Sequence, residues 1–550
     1  MTTCKNGRRL QRDYRITWVD DGGLGCAVVN PPVSPERLAH YALGRLAGTH
    51  VDAVVFTVGS VAGYTTSYPT NVDGMEFLVD RLDAGATLGD AGQWRRAQNL
   101  KGLWDAGHDP FQIVMEESRR LGMDFWLQLR MNDWHHVDAS GKNYRLIGSE
   151  WYEGHPEYLI GADGAAGWPE QLASSLQWFQ DFAHEEVRRL RLEVAAEAVE
   201  RYDVDGWEYD FIRCPGLFKH GQERANAHLI TTLIRDTRAM LDERARARGR
   251  PLPFSVRVPN TIEGCSMLGI DVLEWMADDL VDIVVPCSFF AQDTEEDASE
   301  WVAAAADTPA RIHFGMDEGY LTGANQGRGV PYYQVPDPIM QALTAEMVRG
   351  ISARHWRAGV DGIYLFNGPG TAYTYGYDKE EVLTEIGSPL RIQHKDKHYV
   401  VMRRNGSFPN CFPQEHSLPA ELGTSATTFA IDVADDIAGA GARVEAVTLK
   451  LLFDEACHAD RLDVRLNGRP LVCANPLLPG RPAPGHKYWA VYDLTADPPA
   501  QGDNEVQVAV QRTERLAEEL PLVVSDIELE VSYRYPNGPW KHPPGFDPRT

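Results

Sequence analysis

The chain has 550 residues, enough for a large core and more than one domain. Its formal net charge of -26 argues against nucleic-acid or anionic membrane partners, which demand basic surface, and no stretch approaches the roughly 20 apolar residues of a membrane span. No apolar core follows the basic start Met1–Arg9, so no secretory signal is expected. The eight cysteines show no CxxC pair and no zinc spacing, so the expectation is a reduced, cytoplasmic protein.

Short apolar runs alternate with helical patterns from the N-terminus onward. Arg15–Val19 reads as a strand, and Pro35–Leu46 as a helix with Ser34 at its N-cap. Val51–Val58 is an uninterrupted apolar run, as expected of a strand covered on both faces. Helix Pro110–Leu121, strand Met123–Arg130 and the long helix Gln180–Arg201 follow, leading into a fourth strand at Val204–Arg213. The rhythm continues with helix Asn226–Arg248, strand Phe254–Val258, helix Val272–Asp278 and strand Val281–Phe289. It closes with helix Trp301–Ala306, strand Arg311–Met316, helix Pro338–Ala358 and strand Val360–Asn367.

Eight strands alternating with helices predict a (β/α)8 barrel over residues 1–389. Asp21-Gly22-Gly23-Leu24-Gly25 lacks the spacing of a nucleotide-binding turn, and no helix follows it, which disfavours a doubly wound sheet. Segments 60–105 and 131–175 both follow strands, so they are expected on the face that carries chemistry in such barrels; long ordered loops there are usually functional. The second holds Trp134, His135, His136, Tyr144, Trp151, Tyr152, His155 and Trp168. From residue 390 the helices stop. Ala446–Phe453, Arg461–Leu466, Tyr488–Leu494, Asn504–Val510 and Leu522–Val531 read as strands, with an Asn467-Gly468 hairpin turn. A jelly-roll-like β-sandwich is expected over 390–535, with a Pro/Gly-rich tail at 536–550.

Strand alternation then sorts the side chains. In Val204–Arg213, Trp207, Tyr209 and Phe211 share one face, while Glu208 and Asp210 share the other. Two adjacent carboxylates on a buried strand are costly unless paired or reactive. Gln128, Arg130 and Asn132 on strand three, and Ser255 and Arg257 on strand five, fall on the same lumen side. Arg130 and Arg257 are therefore expected either to touch substrate or to orient the acids. Asp317-Glu318 ends strand seven and Asn367 ends strand eight; Asp20 and Asp21 follow strand one.

Carboxylates gathered on a barrel face point to glycoside hydrolysis, in which one acid attacks or activates water and another protonates the leaving oxygen. Asp210 is expected as nucleophile or base, with Glu208 in support. Glu318 or Asp317 is expected as the acid, with Asp293 as a rival. Arg130, Asn132, Asp133, His135, Arg257, Asp21 and Asn367 are expected to bind substrate, with Trp134 and Trp151 stacking on sugar rings. Asp205–Arg213 and Arg130-Met131-Asn132-Asp133 resemble the DG-x-E-x-D-F-x-R strand and the R-M-N-D segment of bacterial glycosidase-like barrels. Asp210 stands where the α-galactosidase and α-glucosidase clan carries its nucleophile, but Glu208 replaces that clan's Lys. Ile212 stands where chitinase-type barrels place their catalytic Glu. The resemblance covers roughly the first 390 residues through two short motifs and implies a sugar-processing barrel. A carbohydrate is the expected partner; no cofactor is expected, and a homo-oligomer is compatible with the sequence. Two rival readings are a metal-assisted lyase or isomerase using Asp133, Glu208 and His135, and a non-catalytic carbohydrate-binding barrel.

Overall fold

The computed structural model describes residues 9–20, 24, 26, 29–59, 65–83, 91–137, 146–168, 170–288, 292–317, 319–322, 339–367, 380–401, 417–456, 460–477, 487–512 and 521–534. Asp21, Tyr144, Glu318 and the expected tail lie outside them.

Eight parallel strands close a barrel in chain order: β1 (Ile16–Asp20), β2 (Val51–Thr57), β3 (Asp124–Arg130), β4 (Gly206–Asp210), β5 (Phe254–Pro259), β6 (Ile283–Cys287), β7 (Arg311–Met316) and β8 (Gly362–Phe366), with β8 pairing back onto β1. All eight strands are buried along their whole length. Accordingly β2 and β6 read as near-continuous apolar runs, whereas β3, β4 and β5 alternate apolar side chains with polar ones that face the lumen. The connecting helices are α1 (Pro35–Leu43), α2 (Pro110–Arg120), α3 (Glu185–Arg201), α4 (Glu223–Arg248), α5 (Val272–Ala277), α6 (Ala298–Ala304) and α7 (Ala345–Ala358).

Local chemistry sets the helix starts. Ser34 Oγ accepts from Arg37 N at 3.3 Å, and Asp109 caps α2 through Phe111 N at 3.0 Å, with Pro110 at the first helical position. Two helices start later than the sequence reading. Gln180 stays outside α3 because its N–H and side chain are taken by Asn132 and Arg191. Helix α7 starts at Ala345, where the Thr344 hydroxyl accepts from Met347 N at 3.2 Å, and the residues before it form a strand, Ile339–Ala342.

The chain divides into two compact units. The first is Met1–Tyr320, His355–Ser388 and Asn405–Gln414; the second is Leu321–Arg354, Pro389–Arg404 and Glu415–Thr550. The second unit holds two antiparallel sheets. One orders Lys397–Val400, Val523–Tyr533, Val444–Asp454 and Lys487–Asp493, with Ala420–Glu421 also on Val523–Tyr533. The other orders Thr427–Val433, Gly502–Arg512, Arg461–Leu466 and Arg469–Pro470. Val447, Leu449, Leu451, Leu529 and Val531 of the first share a core with Phe429, Ile431, Val506 and Val508 of the second, which makes a β-sandwich. Asn467 (φ 51°) and Gly468 (φ 77°) turn the hairpin in the left-handed conformation that this residue pair tolerates.

Candidate active site

Two layers of side chains fill the polar half of the barrel lumen. Register places Gln128, Glu208 and Ser255 level on β3, β4 and β5, with Arg130, Asp210 and Arg257 two residues further toward the strand ends. The other half, on β1, β2, β6 and β8, is largely apolar, with Val19, Val55, Val285, Tyr364 and Phe366 among its members.

Glu208 occupies the lower layer. It accepts hydrogen bonds from Gln128 at 2.5 Å, Ser255 at 2.8 Å and, across the barrel from β8, the Tyr364 hydroxyl at 2.6 Å. Burial pushes this carboxyl up to about 7, against the pull of those three donors. Glu208 thus bears a proton in mildly acidic solution, as a neutral acid clamped on three sides.

Asp210 sits in the upper layer with a fully covered side chain. One oxygen caps the turn that leaves β4, accepting from Ile212 N and Arg213 N at 3.0 Å each; the other meets Arg257 at 3.1 Å. That turn contains Cys214 at φ 93°, a left-handed value rare outside glycine that costs on the order of 1–3 kcal/mol. Arg257 is the hub. It also lies 3.8 Å from Asp317, donates to Cys287 Sγ at 3.2 Å and stacks 3.7 Å from the Phe366 ring centre. The Cys287 thiol, pushed up to about 12 mainly by burial, is no nucleophile.

The R-M-N-D segment divides its work. Arg130 pairs with Asp133 at 2.8 Å, both side chains fully covered. Asp133 also caps Trp134 N at 2.6 Å and His135 N at 3.0 Å and holds His135 Nδ1. Burial alone would raise the Asp133 carboxyl, but His135 and Arg130 outweigh it and hold it well below the usual carboxylate range. The His135 side chain is 33% exposed, and its Nε2 lies 3.4 Å from the Arg213 guanidinium. Asn132 spends its amide on backbone, binding Gln180 O and Gly216 O and accepting from Gln180 N, so it ties loops together. Met131 packs outward, fully buried.

The first residues of the strand-four motif are structural. Asp205 accepts from Phe125 N and Arg250 at 2.9 Å each. Gly206 faces Trp126, whose ring a Cβ would meet at 2.3 Å. Trp207 and Tyr209 face the helices, Tyr209 donating to or accepting from Thr237 of α4 at 3.1 Å.

The remaining expected residues take several places, with Asp317 beside Arg257. Asp317 is buried at the end of β7, its N–H donating to Gln292 at 2.9 Å. Asn367 ends β8 in a left-handed conformation, and Asp20 is buried at the end of β1. Trp134 packs against a satellite core of Ile160, Leu176 and Phe179. Trp151 joins a half-exposed aromatic ladder with His155, Tyr158 and His184, ring centres 4.9–5.5 Å apart. His136 is buried edge-on to Tyr152, and burial lowers it to about 3, so it stays neutral. Asp293 neighbours Glu296, a carboxyl that burial and the Asp293 charge hold well above the usual range; Asn260, Ser288, Gln292 and His355 surround it. Asp133, Glu208 and His135 do not gather within metal-ligand reach among the described residues. A groove of about 710 Å³ between α1 and α2, lined by Glu36, His40, His108 and Arg120, lies in the outer helical layer.

Sequence reasoning missed Tyr364, Phe366, Arg213 and Glu296. The alternation that placed Gln128 and Arg130 also puts Tyr364 and Phe366 in the lumen; Glu296, in a loop, carries no periodic signal.

The fold and strand-end chemistry define a (β/α)8 barrel with a C-terminal β-sandwich. No family model matches the sequence, and neither does any curated protein. Among solved structures there are distant, low-identity likenesses to glycoside-hydrolase-like barrels. A cycloisomaltooligosaccharide glucanotransferase of Paenibacillus sp. is 10% identical over 94% of this chain and 57% of its own, with a TM-score of 0.34. A chitinase of Paenibacillus sp. str. FPU-7 is 10% identical over 94% and 54%, with a TM-score of 0.39. This chain thus spans little more than half the length of either. An α-amylase of Geobacillus thermoleovorans is 10% identical over 95% and 99%, with a TM-score of 0.37. These likenesses carry no substrate and no mechanism. No helix of the described residues is long and apolar enough to cross a membrane.

Proposed function

We propose that this chain is a glycoside hydrolase working at the C-terminal end of the barrel, with Asp210 as nucleophile or base and Asp317, or Glu318 beside it, as the acid. One observation carries the reading: Asp210 from β4 and Asp317 from β7 converge on the single guanidinium of Arg257. Two carboxyl groups from different strands facing one lumen cation form the kind of arrangement from which glycosidase acid pairs are built. Glu208 supports them from the layer beneath, and His135, held by Asp133 and partly exposed, binds a sugar hydroxyl in this reading.

The test is turnover of a broad panel of aryl glycosides and polysaccharides by wild type and Asp210→Asn. The variant is expected to stay folded, by circular dichroism, and to lose at least about a thousandfold in kcat/KM. Near-normal turnover by Asp210→Asn sinks the assignment. Glycan binding without turnover by the wild type favours a carbohydrate-binding barrel instead.

A further inference from the structure

The five-stranded sheet of the second unit carries a group of ligand-type side chains apart from the barrel chemistry. His398 stands on Lys397–Val400, and Glu528 and Glu530 on Val523–Tyr533. The antiparallel register sets His398 opposite Glu530 and Val400 opposite Glu528, so all three side chains share one face. Lys450, on the next strand, stands opposite Glu528. His398 Nε2 lies 3.1 Å from Glu528 Oε2, and Lys450 Nζ lies 2.5 Å from Glu530. One ligand atom from each of His398, Glu528 and Glu530 fits within 4.8 Å of the others. The Glu528 side chain is only 4% exposed, and its Oε1 has no hydrogen-bond partner among the described residues. A buried carboxylate oxygen without a donor is costly, and a cation satisfies it as well as a donor does.

We propose that His398, Glu528 and Glu530 form a site for a divalent transition cation, with Zn²⁺ the best match. One imidazole nitrogen with two carboxylates suits Zn²⁺, whereas Ca²⁺ and Mg²⁺ take all-oxygen shells. Bonds of about 2.0–2.2 Å set the ligand atoms of a tetrahedral ion roughly 3.4 Å apart. The His398–Glu528 pair already spans close to that edge. Glu530, 40% exposed, completes the set by a side-chain swing that releases Lys450, and a water takes the fourth position. Three paired strands fix the Cα positions in advance, so little reorganisation is needed. Lys450 is the built-in competitor, a cation on the same carboxylate.

The full chain, stripped with a chelator, is titrated calorimetrically with Zn²⁺ and spectroscopically with Co²⁺. Melting curves without metal confirm that each variant is folded. His398→Ala and Glu528→Gln are each expected to weaken Zn²⁺ binding at least tenfold and to abolish its stabilising shift in Tm. Lys450→Met is expected to tighten binding severalfold. Isotherms that are the same in wild type, His398→Ala and Glu528→Gln overturn the proposal, as does weaker binding in Lys450→Met. Asp210→Asn leaves the titration unchanged, since the site is independent of the glycosidase reading.

Discussion

At the scale of single residues, Glu208 and Asp210 stand two apart on one strand and live under different rules. Asp210 is matched by a guanidinium and two backbone N–H groups. Glu208 has only neutral donors, so burial decides its protonation. Its folded value near 7 lies above the unfolded value of about 4.5. The stability it contributes is therefore complete below pH 4.5 and is lost as pH rises through 7. A shift of that size corresponds to about 3 kcal/mol for a fully buried group. Glu208→Gln, neutral at every pH and of the same shape, is expected to flatten this dependence. Relative to wild type, the variant should gain up to about 3 kcal/mol in unfolding free energy between pH 4.5 and 8, read from urea curves across that range. Parallel profiles for the two proteins would contradict the assigned protonation.

At the scale of elements, strand β4 shows how a motif mixes chemistry with construction. Asp205 ties its start to β3 and to Arg250, Gly206 yields its side-chain volume to Trp126, and only from Glu208 onward does the strand face the polar layers. Gly206→Ala would set a methyl group into the Trp126 ring. It is expected to cost about 1–3 kcal/mol, visible as a lower urea midpoint with an unchanged m-value. Much of this element was legible in the sequence, because period-2 alternation assigns Glu208, Asp210, Arg130 and Arg257 to the lumen without further information. The partners were not legible. That Arg257 reaches Asp317, or that Asn132 spends its amide on Gln180 and Gly216, depends on which loops return to the same place. Helix α7 was misjudged at its start because Ile339–Ala342 fits a helical period as readily as a strand.

At the scale of the whole molecule, the sandwich core draws on chain outside the strand-rich region. Ala353 packs against that core, and Arg354 pairs with Asp432 at 2.9 Å. The stretch Leu321–Arg354 groups with the second unit although it lies well upstream of the change in sequence character. A fragment cut at Pro389 lacks that stretch. It is expected to melt several degrees lower and less cooperatively than the same sandwich joined to residues 321–354, as followed by circular dichroism. Identical melting of the two fragments would show that the upstream stretch adds nothing. The barrel count and the shift to strands near residue 390 were open to sequence reading because hydrophobic period reports them directly. The contribution of residues 321–354 was hidden, since contact across the chain leaves no local period.

The hydrogen bond from Tyr364 to Glu208 spans 156 residues of chain, and that separation has a consequence for how the protein is made. A nascent barrel that has emerged only as far as β7 has no β8 to cover the lumen side of β4. Glu208 then faces water and is charged at neutral pH. The arrival of the last strand must bury that charge or take up a proton, so closure of the barrel binds a proton near neutrality. Refolding should therefore run faster in mildly acidic solution than in alkaline, with the final strand acting as a proton-coupled latch.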